Sequence, residues 1–343
     1  MGTMKAYEIG AANGLETYRL VSRPMPKPGR GEVLVRLRAA SLNFRDILLA
    51  SGKYPFPGDV THLSPLSDGA GEVVEVGEGT RYFARGDRVA GIFSQSWQGG
   101  AQVPDAWSSA LGGGIDGVLQ EYRVFDQNGL VRIPNHLSFE EAATLPCAAV
   151  TAWNALYGLK PLQAGQSVLV LGTGGVSIFG LQLAHAAGAR VIATSSSNAK
   201  LEKAKALGAD EVINYKTHPD WATEVKRLTG GRGVDHVIEI GGTGTLAQSI
   251  GSVNIGGIVS LVGLLAAADA PAMNPMPILT SGAIVRGVLV GSRELFENMN
   301  QAIAHHRIKP VIDTVFPFEQ AREALQALAA QRHVGKIVIK IGD

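Results

Sequence analysis

Two short runs in this chain carry residue types suited to chemistry. In Gly172-Thr-Gly174-Gly175-Val176-Ser177 the glycines follow the apolar run Val168–Leu171 and precede helix-spaced apolar residues at Ile178, Leu181, Leu183, Ala184 and Ala187. Glycines at such a turn let backbone N–H groups approach an anion. The helix that starts there adds unpaired N–H groups and the positive end of its dipole. This is the strand–turn–helix pattern that cradles a dinucleotide pyrophosphate. By itself it also fits a tight turn that binds nothing. Ser177 stands where a third glycine is usual, which predicts looser packing of helix on strand.

The second run is Thr194-Ser195-Ser196-Ser197-Asn198, followed by Lys200. An Asp or Glu ending the second strand of such a fold binds a ribose 2′-OH and repels a 2′-phosphate; here the position is Ser195. Three hydroxyls and the Lys200 ammonium suit a phosphate, so the pattern favours NADPH over NADH. Ser195–Ser197 also reads as a plain helix N-cap, and both readings can hold together.

Positioning these runs takes alternating strands and helices. Strands are expected at Arg190–Thr194, Glu211–Tyr215, Val234–Glu239, Gly257–Val262 and Ile284–Val290, with helices between, as in a doubly wound parallel sheet of α/β class. Residues 4–148 are instead β-rich. Glu32–Ala39 alternates apolar and polar, as a half-buried strand does. Residues 92–117, with Trp97 and Trp107, read as a long functional or mobile loop. Glu140–Gly158 reads as one connecting helix, and Glu294–His305 as another. His305-His306-Arg307 fits a solvated helix end better than a metal cluster.

A chain of 343 residues outgrows one core, so two domains are expected. A scattered net charge of +1 argues against nucleic acid and anionic membrane as partners. One cysteine excludes an internal disulfide and a cysteine-rich zinc site, and suits a reducing compartment. No signal segment and no membrane span are read, so a cytoplasmic protein is expected.

Over nearly its whole length the sequence resembles the medium-chain dehydrogenase/reductase superfamily. The matching pieces are Pro28–Val35, Asp68–Val74, Val76–Gly79 with Gly86–Val89, Leu145–Trp153, Gly172–Ser177 and Gly335–Val338. The resemblance implies a GroES-like catalytic domain (1–148 and 292–343), a Rossmann domain (149–291) and an active site in the cleft between them. It places Thr151 and Val176 at the nicotinamide, with backbone of Gly263, Val290 and Gly291 near its carboxamide. It lines the phosphate sites with Gly172, Gly174, Gly175, Ser195, Ser196, Ser197, Lys200 and Tyr215. The superfamily's zinc ligands fall on Asn43, Ser67 with adjacent Asp68, and Cys147. Only Cys147 keeps its type, so no metal is expected. Cys147 is then a small buried residue near the nicotinamide. Without zinc, Asn43 is the expected hydrogen-bond donor to a carbonyl, and Tyr54 a donor of a proton or hydrogen bond; Tyr54 also reads as a packed loop aromatic. Arg45 falls where alcohol dehydrogenases keep a Ser/Thr proton relay. Asp46 either orients Arg45 or forms a structural ion pair.

The expected protein is a zinc-independent, NADPH-dependent oxidoreductase, a homodimer, acting on a small apolar quinone, enone or carbonyl. Two alternatives stand beside it: an alcohol dehydrogenase/aldehyde reductase using Tyr54, and a non-catalytic, crystallin-like NADPH-binding protein.

Overall fold

The computed structural model describes residues 2–54, 58–263, 265 and 274–342. Two compact units emerge: residues 1–150 with 290–343, and residues 151–289.

The first unit opens with a hairpin of β1 (Thr3–Ile9) and β2 (Tyr18–Pro24). It continues with β3 (Glu32–Ser41), α1 (Phe44–Ala50), β4 (Asp68–Val76), β5 (Arg88–Gly91), β6 (Tyr122–Asp126), β7 (Leu130–Arg132) and α2 (Phe139–Ala142). β3 pairs with β4 and with β6, both antiparallel. Its expected alternation gives way at Ala39, Ala40 and Ser41, which are all buried. There a later strand, residues 336–340, pairs along its edge.

The stretch read as one helix, Glu140–Gly158, is in fact three pieces. α2 is followed by a π-type turn, Leu145–Ala149, and then by α3 (Val150–Tyr157). Pro146 has no N–H to give a regular α ladder, and the widened turn re-aims its neighbours. One result is that the Cys147 N–H points sideways, to the Asp68 carboxylate at 3.2 Å. The 92–117 segment is folded rather than loose. Ser94 bridges Ala110, Leu111 bridges Ile115, and Trp97 is buried with its indole N–H on the Gly100 carbonyl.

The second unit follows: β8 (Ser167–Leu171), α4 (Gly175–Ala186), β9 (Arg190–Ser195), α5 (Asn198–Ala206), β10 (Glu211–Asn214), α6 (Trp221–Leu228), β11 (Val234–Glu239), α7 (Leu246–Ser252), β12 (Val253–Leu261), α8 (Met276–Ser281) and β13 (Ile284–Gly287). The six strands are all parallel, in the order β10-β9-β8-β11-β12-β13. This is the doubly wound Rossmann order, and it reverses between β8 and β11. Ligands of such sheets bind at the carboxyl ends of the strands beside that switch. The core of β8 is a continuous apolar run, as a strand covered on both faces requires.

Chain 290–343 returns to the first unit as α9 (Arg293–His306), β14 (Ile312–Pro317), α10 (Ala321–Ala329) and β15 (Lys336–Lys340). β15 pairs with β3 antiparallel, carrying Lys336 in beside Leu42 and Asn43. His305 and His306 lie exposed in the last turn of α9, as a surface reading expects. Among the described residues no helix is long and apolar enough to cross a membrane.

Candidate active site

In the first unit, polar side chains converge on Cys147. Asn43 precedes α1 and is about nine-tenths buried. Its Oδ1 accepts a hydrogen bond from the Lys336 ammonium at 2.6 Å; the same ammonium also donates to the Leu42 carbonyl. Asp68, fully buried at the start of β4, lies 3.9 Å from that ammonium. It accepts from the Ser67 hydroxyl at 2.6 Å and from the Cys147 N–H. Leu66, just before this pair, is held at φ 69°, a left-handed conformation costly for a residue with a side chain.

Burial pushes the Asp68 carboxyl above its ordinary range, while Lys336, Ser67, Asn43 and the Cys147 N–H draw it back. Cys147 is partly exposed rather than fully buried as expected, and desolvation, then Asp68, pushes its thiol up. The Asn43 Nδ2 is buried with no hydrogen bond of proper geometry, although it lies close enough to help hold Asp68 down.

This donor set does not fit zinc. The Asn43 oxygen is taken by an ammonium and the Ser67 hydroxyl by Asp68, leaving Cys147 and the Asp68 carboxylate as the zinc-type donors of the set. A cation already sits among these groups as Lys336. Among the described residues no cluster of three or more His, Cys, Asp or Glu is placed to hold a metal. His62 is exposed and faces Glu8 at 3.6 Å.

Arg45, in α1, is also about nine-tenths buried. Its guanidinium lies 4.6 Å from the Phe93 ring centroid and 5.2 Å from that of Tyr54, and donates to the Leu111 carbonyl at 2.9 Å. Tyr54 is half-buried and meets Trp107 edge-on at 6.2 Å. Burial raises the Tyr54 hydroxyl; Arg45 lowers it, and Cys147 and Asp46 raise it. The Asp46 Oδ2 accepts the Asn43 N–H at 2.7 Å, tying down the start of α1 beside the Arg45 charge. Burial lifts the Asp46 carboxyl to about 6, with relief first from Arg45.

In the second unit the glycine turn sits at the carboxyl end of β8. Gly172 has φ 73°, which turns the chain, and a Cβ at Gly174 would meet nothing within 4 Å. Gly174 caps α4 without a side-chain hydrogen bond, leaving the first N–H groups of the 12-residue helix for an outside acceptor. The residues fit a dinucleotide pyrophosphate. Ser177 does not loosen the packing as expected. It is fully buried and its hydroxyl donates to the Leu171 carbonyl at 2.6 Å. Close helix–strand approach falls instead to Gly180, where a Cβ would come within 2.4 Å of Ile238.

Ser195 ends β9, buried, and the Tyr215 N–H reaches its carbonyl at 3.1 Å. Tyr215 is exposed, and Ser196 and Lys200 are half-buried. Ser197 caps α5 by accepting the Lys200 N–H, so the N-cap reading holds. Thr151 is buried in α3, and Val176 is half-buried in the first turn of α4. Gly263 follows β12, where a Cβ would stand 2.5 Å from the Ile240 carbonyl. Val290 and Gly291 belong to the first unit; Val290 has φ 35°, strained for a β-branched residue.

Sequence reasoning passed over two anchors. Lys336 lies in the quoted Gly335–Val338 piece, but nothing local marks it as the cation of a site almost three hundred residues away. Glu239 ends β11 beside the switch point. It accepts from the N–H groups of Gly241 and Gly242, from Thr245 at 2.6 Å and from Ser249, freezing that loop.

Residues 29–135 match the alcohol dehydrogenase GroES-like domain, and residues 175–305 the zinc-binding dehydrogenase family. A zinc-type alcohol dehydrogenase-like protein of Schizosaccharomyces pombe is 49% identical over 316 residues, covering 91% of each chain. A putative alcohol dehydrogenase from Sinorhizobium meliloti has a solved structure with TM-score 0.91 and 39% identity, covering 99% of both chains. A mycobacterial protein solved in complex with NADPH superposes with TM-score 0.81 at 28% identity, covering 98% of this chain and 99% of that one.

Proposed function

The chain belongs to the medium-chain dehydrogenase/reductase superfamily, and from that premise we propose that it is a zinc-independent, NADPH-dependent reductase of conjugated acceptors, quinones and α,β-unsaturated ketones or aldehydes. Its class is that of an NAD(P)H-dependent oxidoreductase acting on small molecules. The observation that carries the finer reading is the polar set of Asn43, Ser67, Asp68 and Lys336, in which Lys336 takes the Asn43 oxygen and Asp68 the Ser67 hydroxyl where a Lewis acid would need them. Without a metal to polarise an oxygen, an acceptor already activated by conjugation is the easier one to reduce.

NADPH over NADH is supported by Ser195 at the end of β9, where no carboxylate repels a 2′-phosphate. Lys200 and Tyr215 stand at the neighbouring positions. Bound nicotinamide supplies the hydride. The glycine turn and the start of α4 hold the pyrophosphate. Tyr54 is the half-exposed donor of the first unit; Asn43 Nδ2 is a second donor, fixed because Lys336 claims the oxygen end of the amide. The chain is proposed to pair as a homodimer along the β13 edge, where Ile284 and nearby Leu279 are exposed.

The test is consumption of NADPH or NADH with 1,4-benzoquinone, 2-cyclohexenone and a simple aldehyde, with and without a chelator. Chelator-resistant turnover of a conjugated acceptor with NADPH supports the proposal. Chelator-sensitive alcohol oxidation overturns it. Cofactor binding without turnover of any acceptor favours a binding protein.

A further inference from the structure

We propose that Arg45 is the positioning residue for Tyr54, holding the phenol as the proton donor of the reduction. This rests on the reductase reading above. Three contacts fix the guanidinium. Its carbon lies 4.6 Å from the Phe93 ring centroid and 5.2 Å from that of Tyr54, and its Nη1 donates to the Leu111 carbonyl at 2.9 Å. Gly113 leaves it room by having no side chain: a Cβ there would sit 2.2 Å from the Arg45 Nη2. A planar, permanently charged group suits this slot; an ammonium keeps the charge but cannot stack.

What the clamp does for Tyr54 follows from charge. A phenol becomes a better acid when a cation faces it and a worse one when it is desolvated or faces an anion. Arg45, Cys147 and Asp46 are the titratable groups that act on Tyr54, and Arg45 alone among them favours the phenolate. Arg45 therefore sets the ring's position and offsets part of the cost of burying its hydroxyl.

The step balances simply. Hydride from NADPH forms a C–H bond at the β-carbon of the enone, oxidising the cofactor by two electrons and reducing the acceptor by two. The resulting enolate takes the Tyr54 proton as the O–H bond breaks, and solvent returns a proton to the phenolate.

The experiment compares Arg45→Met, Arg45→Lys, Gly113→Ala and Tyr54→Phe, reading kcat for 2-cyclohexenone against pH, its solvent deuterium isotope effect, and NADPH affinity. Arg45→Met is expected to lower kcat about 100-fold, the scale of one lost proton transfer, with NADPH affinity unchanged. Its alkaline limb should move to higher pH, because the phenol has lost its cation. Arg45→Lys should bring the limb back without restoring kcat fully. Gly113→Ala pushes the guanidinium off the ring without altering either residue, so it should reproduce the kcat loss even if Arg45→Met folds poorly. Added to Tyr54→Phe, Arg45→Met should cost nothing more. Full additivity, or an alkaline limb that stays in place, overturns the proposal.

Alkaline absorbance titration of the Tyr54 phenol, as wild type minus Tyr54→Phe, separates the two failures. If no conjugated acceptor turns over but Arg45→Met raises that titration, the reductase reading fails and the Arg45–Tyr54 coupling stands. If turnover is sound and the titration does not move, the positioning proposal fails alone.

Discussion

Around Cys147 the chain places charge on side chains and buries it. Asp46, Asp68, Lys336 and Arg45 all lie at or below about a tenth of their free exposure. The turn at Gly172–Gly175 works the other way, with no charged side chain, open space around a Cβ at Gly174 and no side-chain cap on α4. The first arrangement depends on which functional groups are present, because each buried ion needs its partner. The second depends on what is absent, because a pyrophosphate needs room and N–H groups rather than a particular residue. Substitutions that change charge should therefore injure the first region, and substitutions that add volume the second.

The largest expected effect comes from removing the buried cation. Lys336→Met leaves Asp68 without its nearby ammonium and should cost about 3–5 kcal/mol of stability in denaturant unfolding. Lys336→Met combined with Asp68→Asn should recover most of it. A single variant costing under about 1 kcal/mol would break the contrast.

Next is pH. His236, on β11, is buried with neither ring nitrogen hydrogen-bonded; burial lowers it to about 4, Lys160 and Arg286 push the same way, and Asp235 opposes. The unfolded chain binds that proton below about 6.5 and the fold only below about 4. Stability tied to His236 is thus present above pH 6.5 and lost as pH falls through that window, by about 3 kcal/mol. Asp46 has the opposite sign. Its folded carboxyl titrates near 6 against 3.8 unfolded, so its contribution is full below pH 3.8 and lost as pH rises to 6. Relative to wild type, Asp46→Asn should gain stability between pH 4 and 6 as pH rises, and His236→Leu should gain it as pH falls. Chemical denaturation at several pH values reads both; slopes of the same sign would refute the assignment.

Slightly smaller is Gly174→Val. Among the described residues a Cβ there meets nothing within 4 Å, so thermal stability should hold while NADPH affinity falls about 100-fold, some 2.7 kcal/mol. Fluorescence titration beside a thermal melt decides it, and a variant with wild-type affinity would remove the turn from the cofactor site.

The smallest effect sharpens the comparison within one unit. Gly180→Ala crowds Ile238 and should cost about 1–2 kcal/mol of stability, leaving the pyrophosphate turn intact. Equal damage to NADPH affinity would show that the turn and the packing glycine are not separable.

Much of the nucleotide unit was legible in the chain. Strand runs, the glycine turn and the Ser197 cap are each made by residues within a few positions of one another. Glu140–Gly158 misled for the same reason: its apolar spacing is helical, while Pro146 interrupts the ladder and the widened turn sends the Cys147 N–H to Asp68 on β4. Ser177 misled in the other direction, because its hydroxyl finds a backbone carbonyl that composition cannot show.

Local pattern in the chain was enough for the family, the α/β class, the place of the glycine turn and the loss of all but Cys147 from the superfamily's zinc-ligand types. The tertiary structure alone decided that Lys336, brought in by β15, is the cation beside Asn43 and Asp68, and that Arg45 lies against both Phe93 and Tyr54. Local pattern encodes elements whose hydrogen bonds and periodicity close within a few residues. The energy of a buried charge depends on whatever the folded chain sets within a few ångströms of it, and those partners come from strands and loops far apart in sequence.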